Sequence, residues 1–442
     1  KFLFTVSARS DASSVFAANN KRALFPSGAF AWRLIQEDFI NDLGVFDDLK
    51  LRVSYGRLGN PGLGFGASLT RLSDGGNSYI LGVNQDVVAG IAANSLGNDN
   101  LKWETTDQFD IGIDAGFFNN RLQVTFDYYD KKTNDLLINV NIPWLTSFSS
   151  SLTNFGTVSN KGVELSISTV NVNTNDFKWE TSFNISRNKN IVVDLFNEEG
   201  FIFINPIGGV EAVTSGILQE GEPIGTFYGM VRDGIWNSQE EIEASGLSGF
   251  SVFPGGKRFE DIDGDGVIAP TKDRQIIGDA NPDFFGGMGN NLSFKGFDFS
   301  FFWAFSIGND IFNETDSRVG VALDNNTFKR FADRWSATNT ESNIPSAEGA
   351  ARTLVTSDTD VIEDGSFLRL RNISLGYSLP LDELSWISSA RIYISGINLL
   401  TFDSYSGYDP EVNRGFGNLR RGYDQAQYPT TKIVNFGVQL GF

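Results

Sequence analysis

The residues best suited to chemistry lie in the stretch EDIDGDGVIAPTKDR, Glu260 to Arg274. Asp261, Asp263 and Asp265 alternate along it, and Gly266 follows at once. Calcium takes several hard oxygen ligands, and this spacing curls carboxylates around one centre while the glycine permits a sharp turn. Val267 would add its backbone carbonyl, and Ile268 would anchor the loop by packing. A calcium loop of this kind closes with a bidentate carboxylate at its twelfth position. Lys272 stands there instead, and Asp273 comes one residue later. The metal reading therefore rests on Asp261, Asp263, Asp265, Val267 and Asp273, with a structural rather than catalytic ion. The other reading is an acidic surface turn held by its own Asx hydrogen bonds.

Other chemistry is scarce. The 442 residues include no cysteine and no histidine, which excludes thiol catalysis, disulfides and the commonest general base. Glu104 with Asp107, or Glu240 with Glu241, could be imagined as glycosidase acids. That reaction needs two carboxylates set across a cleft, and nothing in the sequence sets them so. The Gly-rich run 59–66 lacks the Lys-Ser/Thr of a phosphate-binding loop. The expectation is a protein that is not an enzyme. With 35 basic against 54 acidic residues the net charge is -19, which repels nucleic acid.

The elements that must position these residues are strands. In DQFDIGIDAGFF, Phe109, Ile111, Ile113, Ala115 and Phe117 share one face, and Asp110, Gly112, Asp114 and Gly116 share the other. A turn at Asn119-Asn120 leads into Leu122, Val124, Phe126 and Tyr128, which predicts a hairpin. Trp179, Thr181, Phe183 and Ile185 repeat the pattern. Phe297, Phe299, Phe301, Trp303, Phe305 and Ile307 place six large apolar groups on one face, which suits lipid better than an interdigitated core. At the C-terminus Val434, Phe436, Val438, Leu440 and Phe442 face one way. By itself this last pattern fits either a soluble core strand or a membrane strand.

About fourteen candidate strands follow from such alternation. They include 49–58, 161–170, 227–236, 285–294, 367–379 and 390–399. Short turns alternate with long polar segments near 59–100, 196–225, 237–282, 309–365 and 402–431, the asymmetry of an outer-membrane barrel. Short loop helices are expected over 238–244 and 327–335. The eight Trp and eleven Tyr suit interfacial girdles, whereas Tyr405, Tyr408 and Phe416 in a long loop could stack on a sugar or touch a partner. No run of roughly 18 apolar residues predicts a membrane helix, a test to which barrels are blind. The opening KFLFTVSAR already alternates, so the chain reads as a C-terminal piece of a longer protein.

Several segments, in order, resemble the C-terminal half of SusC/RagA-type TonB-dependent transporters of Bacteroidetes outer membranes. They begin with RSDASSVF from Arg9, FPSGAFAW from Phe25, LRVSYGRLGN from Leu51 and LKWETTDQFDIGID from Leu101. FDYYDKKTNDLL from Phe126, NFGTVSNKGVELSI from Asn154 and GEPIGTFYG from Gly221 follow. After the Asp-rich loop come IIGDANPDFFGGMGN from Ile276, SFLRLRNISLGYSLP from Ser366, ISGINLLTFDSYSGYDPE from Ile394 and the terminal Phe442. Ala12 stands where the family usually has Gly, and the extra residue before Asp273 weakens transfer of the metal site.

The resemblance implies an all-β fold: residues 1–442 as the C-terminal portion of an antiparallel transmembrane β-barrel of about 22 strands, its plug absent from this chain. It implies outer-membrane localisation, an N-terminal plug and first barrel strands elsewhere, and coupling to TonB–ExbB–ExbD. It also implies import of an oligosaccharide or peptide beneath a SusD-like lipoprotein lid. Phe436, Val438, Leu440 and Phe442 then form the barrel-closing strand and the signal read by the insertion machinery. Two other readings remain beside it: a secreted, soluble all-β carbohydrate-binding protein with structural calcium, and a surface receptor barrel that does not transport.

Overall fold

A computed structural model describes residues 1–442 other than 74–77, 143–144, 146–147, 149, 196–199, 205–214, 320–325, 353–356, 381–386 and 413–417. Its main sheet has twelve strands. They are β1 (Phe2–Ala12), β2 (Arg22–Arg33), β3 (Asp48–Asn60), β4 (Glu104–Phe117), β5 (Leu122–Asn134) and β6 (Thr157–Asn173). Then come β7 (Phe177–Asp194), β8 (Phe284–Phe294), β9 (Phe297–Ile307), β10 (Phe367–Ser378), β11 (Ser389–Asp403) and β12 (Ile433–Gly441). They lie in sequence order, so each strand neighbours the one before it, as in an up-and-down barrel. The alternating pattern suggested about fourteen strands. The difference comes partly from 227–236, which the sheet does not include. That segment forms two short loop strands, Thr226–Gly229 and Arg232–Ile235. Phe227, Met230, Ile235 and Trp236 are all buried, so this stretch has no exposed apolar face to offer lipid.

The chain divides into two compact units, Lys1–Asn120 with Thr125–Val163 and Lys189–Gly200, and Arg121–Val124 with Glu164–Asn188 and Phe201–Phe442. In the first, register lines apolar side chains into continuous rows. Phe2 pairs with Trp32, Trp32 with Leu51 and Leu51 with Ile113. One row over, Phe4, Phe30, Val53 and Ile111 do the same. The opposite face carries Lys50, Arg52, Asp114 and Asp127. The turn from β4 to β5 holds Phe118, Asn119 and Asn120 with φ of 59°, 57° and 58°. Asn tolerates this left-handed backbone through local hydrogen bonding, which makes the expected hairpin turn possible. The long connections of this unit bury a small core of Phe16, Phe25, Leu101 and Trp103.

In the second unit a single row crosses six strands: Trp179, Leu292, Phe299, Leu375, Ile394 and Phe436. Phe436, Val438, Leu440 and Phe442 are all exposed. On the other face Phe302 lies flat where Gly287 and Gly289 leave room, its ring against the space their missing side chains would fill.

The long connections of this unit, within 201–283, 308–366 and 404–432, fold together beyond the sheet. Asp310–Asn313 pairs antiparallel with Ile362–Asp364 and parallel with Tyr423–Asp424. Phe227, Ala280, Phe312, Val361 and Tyr423 pack beneath them, and Met230, Phe259 and Ile268 form a second cluster. Burying one such aromatic or aliphatic side chain contributes about 1.5–3 kcal/mol, so these loops have cores of their own. The expected helices appear as Gln239–Ser245 and the 3-10 turn Lys329–Asp333. The first is capped by Ser238: Glu241 N–H donates to Ser238 Oγ at 3.2 Å, and the Glu241 carboxylate accepts from the N–H of Asn237, one residue before the cap, at 2.9 Å.

Candidate functional site: the loop layer and its ion pairs

The Asp-rich loop is positioned by a two-residue parallel ladder, Ser248–Gly249 with Val267–Ile268. Ile268 is buried against Met230 and Phe259, the anchoring role its position suggested. Asp261, Asp263 and Asp265 converge, each with a carboxylate oxygen within 4.8 Å of the others. Their oxygens also serve the loop itself. Asp261 accepts from the N–H groups of Gly264 and Gly266 at 2.8 Å each. Asp263 accepts from Asp265 N–H at 3.2 Å, and Asp265 from Val267 N–H at 2.8 Å.

Asp273 does not join them. It is fully buried, and its two oxygens accept from Ile262 N–H at 2.9 Å and Ala269 N–H at 2.6 Å. This corrects its assignment as a ligand: both oxygens already hold the ends of the loop together. Lys272 places its ammonium 2.5 Å from Asp265 and 3.6 Å from Asp263. That hydrogen bond, helped by Val267 N–H, holds the Asp265 carboxyl below its ordinary value. The donor set suits a cation on one side, but a fixed positive charge stands where calcium needs its closing carboxylate, so the fit to the ion is incomplete.

Two ion-pair clusters that the sequence did not reveal tie the loops down. Lys257 Nζ lies 2.7 Å from Asp358 and 2.9 Å from Asp360, and Arg232 Nη1 lies 2.5 Å from Asp360. Burial opposes the Lys257 charge, but the two carboxylates outweigh it and hold the ammonium above its ordinary value. Asp360 is likewise penalised by burial, yet Lys257 and Arg232 keep it below the usual range. The network joins 232–258 to 358–360, two different connections.

The second cluster is built on β10. Arg369, only 2% exposed, donates from Nη2 to Asp409 Oδ1 at 2.5 Å, from Nη1 to Thr430 Oγ1 at 2.9 Å and from Nε to Thr401 Oγ1 at 3.0 Å. Thr430 N–H also donates to Asp409 at 3.0 Å. Both ends of the 404–432 connection are thereby pinned to one guanidinium. Burial works against the Asp409 charge, but Arg369, Thr430 and the backbone N–H groups of Glu411 and Thr430 prevail and pull it down to about 2.

The remaining candidates separate cleanly. Tyr405 is buried and donates to Asp424 at 2.6 Å, so it is a loop anchor. Tyr408 is exposed, and Phe416 lies outside the described residues. Asp107 is bound by Arg57 and Tyr55 at 2.8 Å each, and Glu241 by Arg258 at 2.6 Å. The signal for the Arg369 cluster was present in SFLRLRN, where arginines interrupt an apolar run. Their acceptors lie 40 residues away, at Asp409 and Glu411.

This geometry agrees with relatives of known kind. The sequence profile described as TonB dependent receptor-like, beta-barrel matches residues 1–204. Over its whole length the chain is 39% identical to TonB-dependent receptor P3 of Formosa agariphila and 29% identical to TonB-dependent receptor SusC of Bacteroides thetaiotaomicron. It spans 44% and 42% of those two proteins, less than half of each. The solved RagAB peptide transporter superposes on all of it with a TM-score of 0.83 at 28% identity, using 46% of that chain. The apolar face of the sheet is thus the lipid-facing side of an outer-membrane β-barrel, and along its whole length the chain is similar to the barrels of TonB-dependent receptors.

Proposed function

We propose that this chain is the C-terminal wall and outer loop layer of an energised importer for oligosaccharides or peptides. The observation that carries the reading is the interlocking of three long connections at one end of the sheet. They share strands, two apolar clusters and the Lys257 network, so they offer a preformed surface above a polar wall. A SusD-like lipoprotein is the partner that such a surface would receive. TonB–ExbB–ExbD would act through a plug carried outside this chain. Strands β1 and β12, each paired on one side among the described residues, would find their other partners in the same missing portion. Phe436, Val438, Leu440 and Phe442 would present the face read during barrel insertion.

The test is uptake. A strain lacking the gene takes up fluorescent oligosaccharide and peptide pools with the full-length protein restored, in the presence and absence of TonB. Accumulation of one pool that needs both the protein and TonB supports the reading. Surface binding without TonB-dependent accumulation would favour a receptor barrel instead.

A further inference from the structure

The connection between β2 and β3 differs chemically from the tight turns 174–176 and 295–296. It spans 34–47 and is ordered: the 3-10 turn Leu34–Gln36 leads into the helix Asp38–Asn41, and Gly44, at φ 63°, ends it. Phe39, Leu43 and Val45 are nonetheless 62%, 58% and 56% exposed. Phe39 and Leu43 are four residues apart, on one side of the helical turn. The tight turns 174–176 and 295–296 carry Thr, Asn, Asp, Lys and Gly instead.

This apolar surface continues the lipid-facing band. Phe46 packs on Phe117, the last lipid-facing residue of β4, with ring centroids 5.2 Å apart. Phe117 in turn meets Phe118 at 6.4 Å, and Phe118 is 72% exposed. Phe118 also sits in the left-handed backbone region, which costs a residue with a Cβ about 1–2 kcal/mol. Trp32 marks the edge of the band, with its indole N–H on Glu37 Oε1 at 3.0 Å, the amphipathic placement favoured where lipid meets water.

Strand β3 is short in apolar extent. On β3 the lipid-facing apolar positions run from Leu49 to Tyr55, and the Arg57–Asp107 ion pair ends them. At ~3.4 Å per residue and a tilt of ~40° those positions cover roughly 15 Å of depth, against the ~25 Å apolar band of such barrels. On β9 the positions Phe297 to Ile307 cover about 26 Å by the same arithmetic. The 34–47 connection adjoins the other end of that run on β3, beyond Leu49, and extends the apolar surface there.

We infer that the 34–47 connection, with Phe118, is an interfacial anchor whose exposed apolar side chains sink into the phospholipid of the inner leaflet. Short connections of outer-membrane barrels face the periplasm, which places this one at that leaflet. Phospholipid is the occupant because the patch is continuous with a surface that lipid already covers.

The chain has no cysteine, so a spin label can be placed without background from it. Leu43→Cys and Val45→Cys are made separately in the full-length protein, labelled, and reconstituted in phospholipid nanodiscs. Accessibility to oxygen is compared with accessibility to a water-soluble nickel chelate. Phe299→Cys serves as the lipid control and Thr174→Cys as the aqueous control. Heat-modifiable migration confirms folding of each variant. The expected result is oxygen accessibility exceeding nickel accessibility at either anchor position, as for the Phe299 label. Labels at both positions that match the Thr174 label would overturn the inference, whether water or a periplasmic protein covers the turn.

Discussion

Asp298 on β9 and Arg391 on β11 form an ion pair across β10, a strand to which neither belongs. Arg391 Nε donates to Asp298 Oδ1 at 2.9 Å. Gly376 on β10 is what lets them meet, since a Cβ there would collide with the guanidinium and the carboxylate. The arrangement recurs in the first unit, where Arg52 on β3 reaches Asp127 on β5 at 2.8 Å over Gly112 of β4. In both cases a glycine opens a window in the polar wall for a charge pair two strands wide.

Gly376→Ala should therefore destabilise the barrel by about 1–3 kcal/mol, because the side chains must be displaced from a packed position. In an Asp298→Ala background much of that cost should vanish, since partly exposed ion pairs contribute little on their own. The double-mutant cycle is read from the temperature at which heat-modifiable migration is lost. Equal costs in both backgrounds would show that the window does not serve the pair.

Arg369→Ala should free the 404–432 connection. It leaves Asp409 partnered only by Thr430 and two N–H groups, and stranding a buried charge costs about 3–5 kcal/mol. Limited proteolysis of intact outer membranes should then cut within 404–432 while the strands stay protected. Unchanged resistance would mean that the guanidinium is not the clamp.

The same clamp has a defined acid limit. Asp409 is held at about 2 in the folded protein, below its unfolded value, so its stabilising contribution is complete above the ordinary carboxylate range. It is lost as pH falls from about 4 through about 2. Protease resistance of the loop should be flat from neutral pH to about 5 and fall below about 4. An Asp409→Asn variant should lose that acid dependence.

Lys272 makes the Asp-rich loop carry its own cation. Calcium and chelator should leave the thermal midpoint of the natural protein unchanged, whereas Lys272→Glu, which restores a carboxylate at the closing position, should raise it on adding calcium. A chelator that lowers the midpoint of the natural protein would return the loop to the calcium reading.

Phe436 and Val438 face lipid, and Gln439 faces the polar side. Val438→Arg should cost up to about 2–4 kcal/mol, depending on depth, and Gln439→Arg much less. Phe442→Ser should lower the heat-modifiable protein recovered from outer membranes if that face is read during insertion. Normal recovery would remove Phe442 from that role.

Much of the sheet was legible because alternation is a local signal. Phe297 to Ile307 and Val434 to Phe442 declare their faces with no knowledge of a neighbour. The short helix expected over 238–244 is local in the same way, since Ser238 caps it from the adjoining residue. The segment 227–236 alternates too, but it does so inside a loop layer that buries it, and periodicity does not distinguish lipid from protein. Arg369 with Asp409, and Lys257 with Asp358, are separated by 40 and 101 residues, so only the formed sheet and folded loops bring them together. Asp273 was misread for a related reason: a carboxylate beside a metal-like loop looks the same whether it faces an ion or two amides.

Phe302 is the one large aromatic side chain of β9 on the polar face, lying over Gly287 and Gly289. The ring occupies the volume that the two missing side chains leave, so the wall is flush at that point. The pocket is cut to the ring: a Cβ at Gly287 would meet it at 2.5 Å, so neither the glycine nor the phenylalanine can change alone.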